Sequence, residues 1–532
     1  MPDSPTFGSA AVAAPHPLAA GSGQAVLAQG GNAVEAMVAM AATIAVVYPH
    51  MNGIGGDGFW LVREPAGRVH AIDACGPAGS PATRERYRQK GYDAIPPRGP
   101  DAALTVAGAV GGWELAMELA RSRGGTLPLD LLLGDAVRHA REGYPVSVSE
   151  GAYVLKDQAD LEAAPGFAST FLLDGRLPAA GTVRRAPALA DTLEQLAHAG
   201  LDDFYRGDVG REIAADLERI GAPVARRDLE ACRARVVPPL SARLKDATAY
   251  NLPPPTQGLA SLLLLGIAER AGTAFGETAA FHHALIEAAK RAAAIRDAVV
   301  TDPAHLAHDP AAFLTAARFE REAARIEAHR AAAYPMRMPA EGDTVWMGAI
   351  DRDGLAVSYI QSIFWEFGSG CVLPATGILW QNRGASFSLD PAARNPLAPG
   401  RKPFHTLNPA LAAFDDGRVL AYGSMGGEGQ PQFQAQIFTR YASGRLGVAD
   451  AVDAPRWLLG RTWGAASVTL KLESRFDPDL IRGLKERGHD VEELPEAYTD
   501  TVGHAGMVVK HRRDGRVEAA HDPRSDGGAL GL

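Results

Sequence analysis

Apolar residues fill nearly every position from 36 to 48, with no polar face that would point to solvent. The pattern predicts a helix over residues 24–48 that is buried on most sides. Because the apolar run is shorter than the roughly 20 residues that cross a bilayer, we interpret it as a core helix. A glycine-rich turn follows, and the aromatic and β-branched run at residues 59–63 predicts a strand.

Helical spacing is typical of the middle of the chain, where alanine, leucine, glutamate and arginine dominate. These residues are strong helix formers. Neither a repeat nor a low-complexity linker interrupts this region, so we expect one globular unit. The predicted helices cover part of residues 104–121, then residues 188–199, 258–270, 277–300 and 311–333.

After residue 343 the pattern changes from helical spacing to β-like segments. Residues 345–350 and 355–363 flank an Asp-Gly turn and predict a strand, a tight turn and a second strand. Further strands are predicted at residues 377–381, 411–414 and 419–423, and a helix at residues 432–441. Strands and helices in both halves favour a layered α/β or α+β fold.

Charge and cysteine content exclude several classes of protein. Lys and Arg number 53 against 62 Asp and Glu, a formal net charge of −9, so we expect no nucleic-acid or membrane partner. The first basic residue is Arg63, which leaves no charged start for a secretory signal and favours a cytoplasmic location. Cys75, Cys232 and Cys371 are widely spaced and predict neither a disulfide framework nor a CxxC site, so oxygen and nitrogen groups must carry any chemistry.

An Asp-Thr pair, Asp343 and Thr344, lies where the pattern changes. A threonine hydroxyl is a poor nucleophile until a base takes its proton. The α-amine of an N-terminal threonine, with a pKa of about 7.7 to 8.0, can be that base. Cleavage between the two residues would expose Thr344 at the start of a fragment of 189 residues (532 minus 343). The alternative is that Thr344 is only the first residue of a strand, where β-branched residues are common.

Seven motifs occur in a fixed order along the chain. They are G-G-N-A-V-E-A (30–36), V-V-Y-P-H-M-N-G-I-G-G-D-G-F-W (46–60), D-T-V-W-M-G-A-I-D-R-D-G (343–354), G-I-L-W-Q-N-R-G-A-S-F-S (377–388), R-K-P-F-H-T-L-N-P-A (401–410), G-S-M-G-G-E-G-Q-P-Q (423–432) and D-P-R-S-D-G (522–527). The set resembles the γ-glutamyltransferase family of N-terminal nucleophile hydrolases over essentially the whole chain.

This resemblance implies an α+β fold, a four-layer αββα sandwich, made as a single precursor. The precursor would cut itself between Asp343 and Thr344 into a large subunit, residues 1–343, and a small subunit, residues 344–532. A heterodimer of the two products is therefore expected, and pairing of two heterodimers stays open.

The resemblance also implies roles for individual residues. Thr344 matches the nucleophile of both cleavage and turnover. Gly426 and Gly427 match an oxyanion-hole pair whose backbone N–H groups stabilise a developing alkoxide, although alone they would read as a simple turn. Ser362 matches a hydroxyl residue that hydrogen-bonds the nucleophile. Neither a metal nor a cofactor is expected.

The chain departs from the family where a γ-glutamyl head group is held. The arginine expected for the α-carboxylate falls near Cys75, and the aspartate expected for the α-ammonium falls at Ser386. The paired serines fall at His405 and Thr406. Without the anion that pairs with an ammonium, a glutamyl group would lose a charge-assisted contact of roughly 1.5 to 3 kcal/mol.

Arg383, His405, Thr406 and Asn382 are instead the predicted substrate-binding residues. An arginine fork suits a carboxylate, and His405 could donate a further hydrogen bond. The motifs around them resemble the branch of the family that hydrolyses oxamate, a carboxylate joined directly to a carboxamide. We therefore expect oxamate or a similar small anionic amide as substrate. Arg383 as a structural ion-pair residue, and His405 and Thr406 as core residues, remain the alternatives.

Two other functions stay open: a γ-glutamyl hydrolase or transferase with a different head-group site, and an unprocessed binding or scaffold protein. G-I-G-G-D-G at residues 53–58 fits the G-x-G-x-x-G spacing, but a helix precedes it and a strand follows, the reverse of a dinucleotide site. A close-packed turn is the better prediction. His282 and His283 are adjacent on a predicted helix, so a shared metal site is not expected.

Overall fold

The computed structural model describes residues 4–153, 158–334, 343–460 and 468–532. Of Asp343 only the backbone is described. The strands are β1 Thr6–Phe7, β2 Ala11–Ala14, β3 Asp57–Arg63, β4 Val69–Ala74, β5 Tyr144–Pro145, β6 Val183–Arg184, β7 Arg235–Val237, β8 Leu240–Arg243, β9 Ala247–Asn251, β10 Asp343–Ile350, β11 Ala356–Phe364, β12 Val372–Leu373, β13 Ile378–Leu379, β14 Ala410–Phe414, β15 Val419–Ser424, β16 Trp457–Leu459, β17 Leu470–Leu472, β18 Val491–Glu493, β19 Ala505–Lys510, β20 Val517–His521 and β21 Gly528–Gly531. The α-helices are α1 Pro17–Ala28, α2 Ala33–Val47, α3 Arg84–Gln89, α4 Ala109–Arg121, α5 Leu129–Glu142, α6 Val148–Ala152, α7 Gln158–Ala163, α8 Phe167–Phe171, α9 Pro187–Ala199, α10 Asp203–Arg206, α11 Asp208–Ile220, α12 Arg226–Ala231, α13 Gly258–Arg270, α14 Ala279–Val299, α15 Ala316–Ala323, α16 Gln430–Ala442, α17 Val448–Asp453 and α18 Pro478–Glu486.

Two seven-stranded sheets form the centre of the molecule. The strand order is β21-β2-β10-β11-β3-β4-β7 in the first sheet and β1-β20-β19-β15-β14-β9-β8 in the second. Neighbouring strands in both are antiparallel. Each sheet combines strands from before and after residue 343, so the two parts of the chain are folded as one body.

Alternation of side chains along the strands separates the apolar layers. In the first sheet, Trp60 and Val345 pack with helices α1, α2, α4 and α5, while their neighbours Phe59 and Trp346 pack between the sheets. The outer face of the second sheet, for example Tyr422, packs with α13, α14 and α16. The resulting order of helix, sheet, sheet and helix confirms the expected αββα sandwich of the α+β class.

The helix predicted over residues 24–48 is wrong as one element, because it is two helices, α1 and α2. Asn32 caps α2: its side chain accepts from the N–H groups of Val34 and Glu35 at 3.1 and 3.0 Å. The Glu35 carboxylate accepts from the Asn32 N–H at 2.8 Å in return. This capping box starts a new helix directly after the stretch Q-G-G-N at residues 29–32, a turn signal that the single-helix prediction passed over.

Most of the other predicted elements are confirmed. Helices α9, α13, α14 and α16 and strands β3, β10, β11, β14 and β15 lie at the predicted positions. The helix predicted at residues 311–333 is too long, because only α15 and the 3-10 turn Pro310–Phe313 form there. The strand predicted at residues 377–381 shortens to β13.

Candidate active site

Thr344 lies near the start of β10, in the middle of the first sheet, and is 1% exposed. The register of β10 against β11 shifts here, so that Thr344 alone lies opposite two residues, Ser362 and Ile363. Such a bulge bends a strand and re-aims its side chains. On the other side of β11, Ser362 pairs with Asp57 of β3. Thr344, Ser362 and Asp57 therefore form one row across three neighbouring strands.

The hydroxyl groups at this bulge have different surroundings. Thr344 Oγ1 is buried and has no hydrogen-bonding partner among the described residues. Ser362 Oγ accepts from the N–H of Phe364 at 2.8 Å. Phe364 has a φ of +84°, a left-handed conformation that is costly for a bulky residue. The end of β11 is thus a sharp, locally strained turn beside the threonine.

Arg383 is held against this turn. The N–H of Asn382 donates to the Ile363 carbonyl at 3.1 Å, and its side-chain Oδ1 accepts from the N–H of Trp365 at 3.0 Å. The guanidinium carbon of Arg383 then lies 3.8 Å from the centroid of the Phe364 ring, a close cation–π contact. These contacts bring the predicted carboxylate-binding arginine to the strand end that neighbours Thr344.

The Arg383 guanidinium is fully buried and only partly hydrogen-bonded. Nη1 donates to Thr406 Oγ1 at 3.3 Å, whereas Nε and Nη2 have no partner within the part of the chain that the structure describes. Burial lowers the pKa of Arg383 to about 9, and the negative charge of Asp57 opposes this shift. The group stays protonated near neutral pH. Two unused, buried N–H donors on one planar cation suit a carboxylate ligand.

His405 and Thr406 lie beside this arginine. Both are fully buried, and the His405 ring meets the Phe59 ring edge to face at 4.8 Å between centroids. His405 Nε2 lies 2.9 Å from Asp57 Oδ2. Burial, together with the charges of Arg383 and Lys402, lowers the pKa of His405 well below its usual value.

Asp57 is the site residue that sequence reasoning missed. Its carboxylate is fully buried and accepts from the N–H groups of Gly76 and Gly108, each at 3.0 Å, and from Gln381 Nε2 at 3.2 Å. Burial raises the pKa of Asp57 to about 7. The available signal was an acidic residue inside an otherwise apolar and glycine-rich stretch. A carboxyl group there must find several partners to be buried.

The stretch around Asp57 is the close-packed turn that was predicted for G-I-G-G-D-G. A Cβ atom on Gly55 would lie 2.2 Å from the Leu379 carbonyl oxygen, and one on Gly56 would lie 2.2 Å from the Ser362 carbonyl oxygen. Only glycine allows the backbone of this turn to approach β11 and β13 so closely. This packing fixes the position of Asp57 in the row that it forms with Thr344 and Ser362.

Gly426 and Gly427 follow β15 of the second sheet and begin a 3-10 turn that leads into α16. Their φ angles are +112° and +51°, which favour glycine. Gln257 connects this turn to Thr406, the residue that accepts from Arg383. The side-chain NH2 of Gln257 donates to the carbonyls of Gly427, at 2.8 Å, and Thr406, at 2.7 Å. Assignment of the two glycines to an oxyanion hole stays a prediction.

The remaining predicted positions have structural partners. The side-chain NH2 of Asn382 donates to the Pro97 carbonyl at 2.8 Å, so both ends of its amide are used by the backbone. Ser386 Oγ donates to the Phe404 carbonyl at 3.1 Å. The Cys75 thiol is buried, and burial raises its pKa well above the usual value. Substrate contact by Asn382 stays a prediction, whereas its hydrogen bonds give it a role in positioning Arg383.

His282 and His283 have separate partners, as their adjacent positions on α14 predict. His282 Nδ1 accepts from an indole N–H at 3.0 Å. His283 Nδ1 lies 2.8 Å from His489 Nε2, and Glu287 offers a third ligand atom within 4.8 Å of these two. The Glu287 carboxylate is already paired with the ammonium group of Lys290 at 2.7 Å. A cation of the protein itself therefore neutralises this cluster.

The four-layer αββα fold, with a buried threonine near the start of a central strand, is the fold of the N-terminal nucleophile hydrolases. Among the described helices, none combines the length and the apolar character needed to cross a membrane. Residues 19–532 match the profile of the gamma-glutamyltranspeptidase family, and the chain belongs to this family.

Individual relatives agree with this assignment. The chain is 52% identical to the oxamate amidohydrolase proenzyme of Klebsiella pneumoniae, over 97% of each chain. It is 38% identical to the glutathione hydrolase-like YwrD proenzyme of Bacillus subtilis, over 98% of each chain. The crystal structure of cephalosporin acylase from Bacillus halodurans superposes with a TM-score of 0.90 at 32% identity, covering 100% of this chain and 97% of that one.

Proposed function

We propose that the chain hydrolyses oxamate, or a similar small anionic amide, to oxalate and ammonia through an ester on Thr344. The observation that carries the proposal is the buried Arg383, whose Nε and Nη2 lack partners within the described ranges. The preceding residue, Asn382, accepts a hydrogen bond from Trp365 just after β11. A carboxylate would satisfy both donors. The 52% identity to the oxamate amidohydrolase proenzyme supports the same substrate class.

Self-cleavage between Asp343 and Thr344 is part of this proposal. It would give a large subunit of residues 1–343 and a small subunit of residues 344–532, with Thr344 as the new N-terminus. Strand β10 pairs with β2 of the large subunit on one side and with β11 of the small subunit on the other. Because both sheets mix strands of the two subunits, the products would stay together as a heterodimer.

The proposed reaction uses groups of the chain and one water molecule. The α-amine of Thr344 accepts the hydroxyl proton, Oγ1 attacks the amide carbon, and the N–H groups of Gly426 and Gly427 stabilise the oxyanion. The amine returns the proton to the leaving nitrogen, the C–N bond breaks, and an oxalyl ester remains. Water then gives a proton to the same amine and attacks the ester carbon. Oxalate leaves, and Oγ1 regains its proton.

A γ-glutamyl substrate is the second candidate, and its α-ammonium would require an anionic partner. The family resemblance places an aspartate at the position of Ser386, which carries no charge. The Ser386 hydroxyl donates to a backbone carbonyl. The Asp57 carboxylate is nearby but is already bonded by three N–H donors and His405. An oxamate-like substrate has no ammonium group, so it needs neither residue.

Ammonia release from oxamate tests the proposal. The purified wild-type protein is compared with Thr344→Ala, which removes the hydroxyl, and with Thr344→Ser, which keeps it. Intact masses of all three proteins are recorded. We expect fragments of 343 and 189 residues (532 minus 343) and ammonia from the wild type, an uncleaved inactive chain from T344A, and cleavage with reduced activity from T344S.

Other outcomes separate the alternatives. Cleavage without ammonia, together with hydrolysis of γ-glutamyl-p-nitroanilide, would favour the γ-glutamyl enzyme. An intact wild-type chain of 55.9 kDa after long incubation, without activity on either substrate, would favour an unprocessed binding protein.

A further inference from the structure

A buried carboxyl–imidazole pair, Asp57 and His405, adjoins the proposed anion site. Asp57 Oδ2 and His405 Nε2 are 2.9 Å apart, and both side chains are fully buried. Asp57 Oδ1 already accepts three hydrogen bonds, two of them from the backbone N–H groups of Gly76 and Gly108. Because Oδ1 is committed as an acceptor, any proton on this carboxyl group must lie on Oδ2, towards His405.

The second ring nitrogen of His405 is the one that a ligand can use. His405 Nδ1 is buried and finds no hydrogen-bonding partner in the ranges that the structure describes. The next residue, Thr406, accepts from Arg383 Nη1 at 3.3 Å, which ties this segment to the guanidinium with the two unused N–H donors. A buried cation and a buried imidazole nitrogen, both without a full set of partners among the described residues, therefore lie on adjoining segments.

The protonation state of the pair determines whether His405 Nδ1 is a hydrogen-bond acceptor or a donor. With one proton in the pair, held on Nε2, the imidazole donates to the Asp57 carboxylate and Nδ1 presents a lone pair. That lone pair repels a carboxylate. With two protons, one between Oδ2 and Nε2 and one on Nδ1, the second nitrogen becomes an N–H donor. An anionic ligand therefore favours the state with the extra proton.

We propose that Asp57 and His405 form a proton-sharing pair that takes up one proton from solvent when a carboxylate binds at Arg383, so that His405 Nδ1 donates to the ligand. The inference rests on the proposed function, because it requires an anion site at Arg383. Asp57 acts as a positioning residue: it touches no ligand and works by supplying the acceptor that lets His405 carry the additional proton.

Apart from the α-amine that cleavage would expose on Thr344, with a reference pKa of about 7.7 to 8.0, the groups around the pair keep their charge. Proton uptake by this amine would persist when Asp57 or His405 is replaced, which separates it from uptake by the pair. Arg383 and Lys402 are cations, and Lys402 is neutralised by Asp73 at 2.6 Å. Burial raises the pKa values of the remaining titratable neighbours, which keeps them neutral: the thiols of Cys75 and Cys232 and the phenols of Tyr205 and Tyr359. The raised pKa of Asp57, about 7, places the gain of the proton near neutral pH. A bound anion offsets the charge of Arg383 and so favours that gain.

Proton uptake on binding can be counted without turnover. Oxalate, a carboxylate that contains no amide to hydrolyse, is titrated into the cleaved wild-type protein by calorimetry in two buffers of different protonation enthalpy. We expect about one proton taken up per oxalate at about pH 8, and a smaller fraction at about pH 6, where the free pair already holds it. In kinetics, KM for oxamate should rise by up to about tenfold per pH unit above the pKa of the pair, without a matching change in kcat.

Two variants remove the titration in different ways. In Asp57→Asn the amide oxygen keeps the three donors of Oδ1, and the NH2 group donates to His405 Nε2. Nδ1 then carries the imidazole proton at every pH. We expect D57N to bind oxalate with no proton uptake and a flat KM profile. His405→Gln removes the titrating ring altogether and should also show no uptake.

Asp216→Asn is the matched control, since Asp216 is a buried carboxylate in helix α11 that pairs with Arg219 and not with His405. Its proton uptake should match the wild type. Oxalate binding without uptake by the wild type, or uptake that persists in both D57N and H405Q, would overturn the proton-sharing pair and leave the proposed function standing. Failure of oxalate and oxamate to bind at all would overturn the anion site and the proposed function together.

Discussion

At the scale of single residues, Arg383 has the surroundings of a ligand-binding cation. Removing a guanidinium from water costs several kcal/mol unless hydrogen bonds and opposite charge replace the lost hydration. Here the replacement is incomplete, because the Phe364 ring covers one face and Thr406 accepts one hydrogen bond. A carboxylate supplies the two acceptors and the negative charge that this position lacks.

Arg383→Lys tests this argument, because lysine keeps the charge and loses the planar fork and the ring contact. We expect kcat/KM for oxamate to fall about tenfold to a hundredfold, corresponding to roughly 1.5 to 3 kcal/mol, mainly through KM. Arg440→Lys is the matched control, since Arg440 is another buried arginine, and it pairs with Glu277 at 2.8 Å rather than with any residue of this turn. R440K should leave KM unchanged. An unchanged KM in R383K would show that the carboxylate binds elsewhere.

At the scale of elements, the site lies where the ends of interior strands from both sheets meet two tight turns. The bulge in β11 presents Phe364 to Arg383, and the 3-10 turn after β15 presents Gly426 and Gly427. The side chain of Gln257 donates to the carbonyl of Gly427 in this turn and to the carbonyl of Thr406 beside Arg383. The position of the predicted oxyanion groups relative to the proposed anion site is therefore set by hydrogen bonds between loops, which a small backbone shift would break.

Gly426→Ala should expose this dependence. A Cβ atom at this position would lie 2.6 Å from the Phe433 ring and would force a φ of +112° on alanine. The turn must shift, so we expect kcat to fall about 10²- to 10³-fold with a smaller change in KM, the effect of a lost oxyanion donor. Steady-state kinetics on oxamate provide the measurement. Gly134→Ala is the control, because nothing lies within 4 Å of its added Cβ in α5, and its kinetics should stay those of the wild type. Equal kinetics in G426A and G134A would remove Gly426 from the mechanism.

At the scale of the whole molecule, apolar spacing was sufficient for the elements that bury one or more faces. It located β10, β11, α13 and α14. The site roles that the order of the motifs gives to Thr344, Arg383 and the glycine pair stay predictions. The apolar spacing missed the break before α2, because the prediction extended one helix across the glycine and polar residues 29–32, which end α1 and cap α2. Asp57 was missed because its partners, Gly76, Gly108, Gln381 and His405, come from four separate segments that only the folded sheet brings together.

The tail motif D-P-R-S-D-G also gains its meaning only in the whole molecule. Asp522 and Arg456 form a fully buried ion pair. Arg456 donates onward to the carbonyls of Val502 and Gly503, at 3.0 and 2.6 Å, and the next residue, His504, accepts from the N–H of Met425 at 2.9 Å. The end of the chain thus supports the residue that precedes Gly426. Loss of this pair should affect both stability and the proposed oxyanion turn.

The pH dependence of Asp522 gives the direction of its contribution to stability. Burial alone would raise the pKa of its carboxyl group, but the charges of Arg456 and Arg524 outweigh burial and hold the pKa below its usual value. A carboxyl group with a depressed folded-state pKa stabilises the fold above its unfolded pKa of about 3.9, and this contribution is lost as the pH falls through the folded value. Acid should therefore weaken the wild type through this group.

Asp522→Asn leaves Arg456 buried without its counter-charge. We expect the free energy of unfolding to fall by about 3 to 5 kcal/mol at neutral pH and the difference from the wild type to shrink below about pH 4, measured by urea unfolding at both pH values. Asp514→Asn, at an exposed pair with Arg516 at 3.4 Å, should change stability by less than about 0.5 kcal/mol. Equal unfolding midpoints for D522N and D514N at neutral pH would mean that the buried pair adds nothing to stability. In that case the support for the turn at Gly426 must come from the surrounding backbone hydrogen bonds alone.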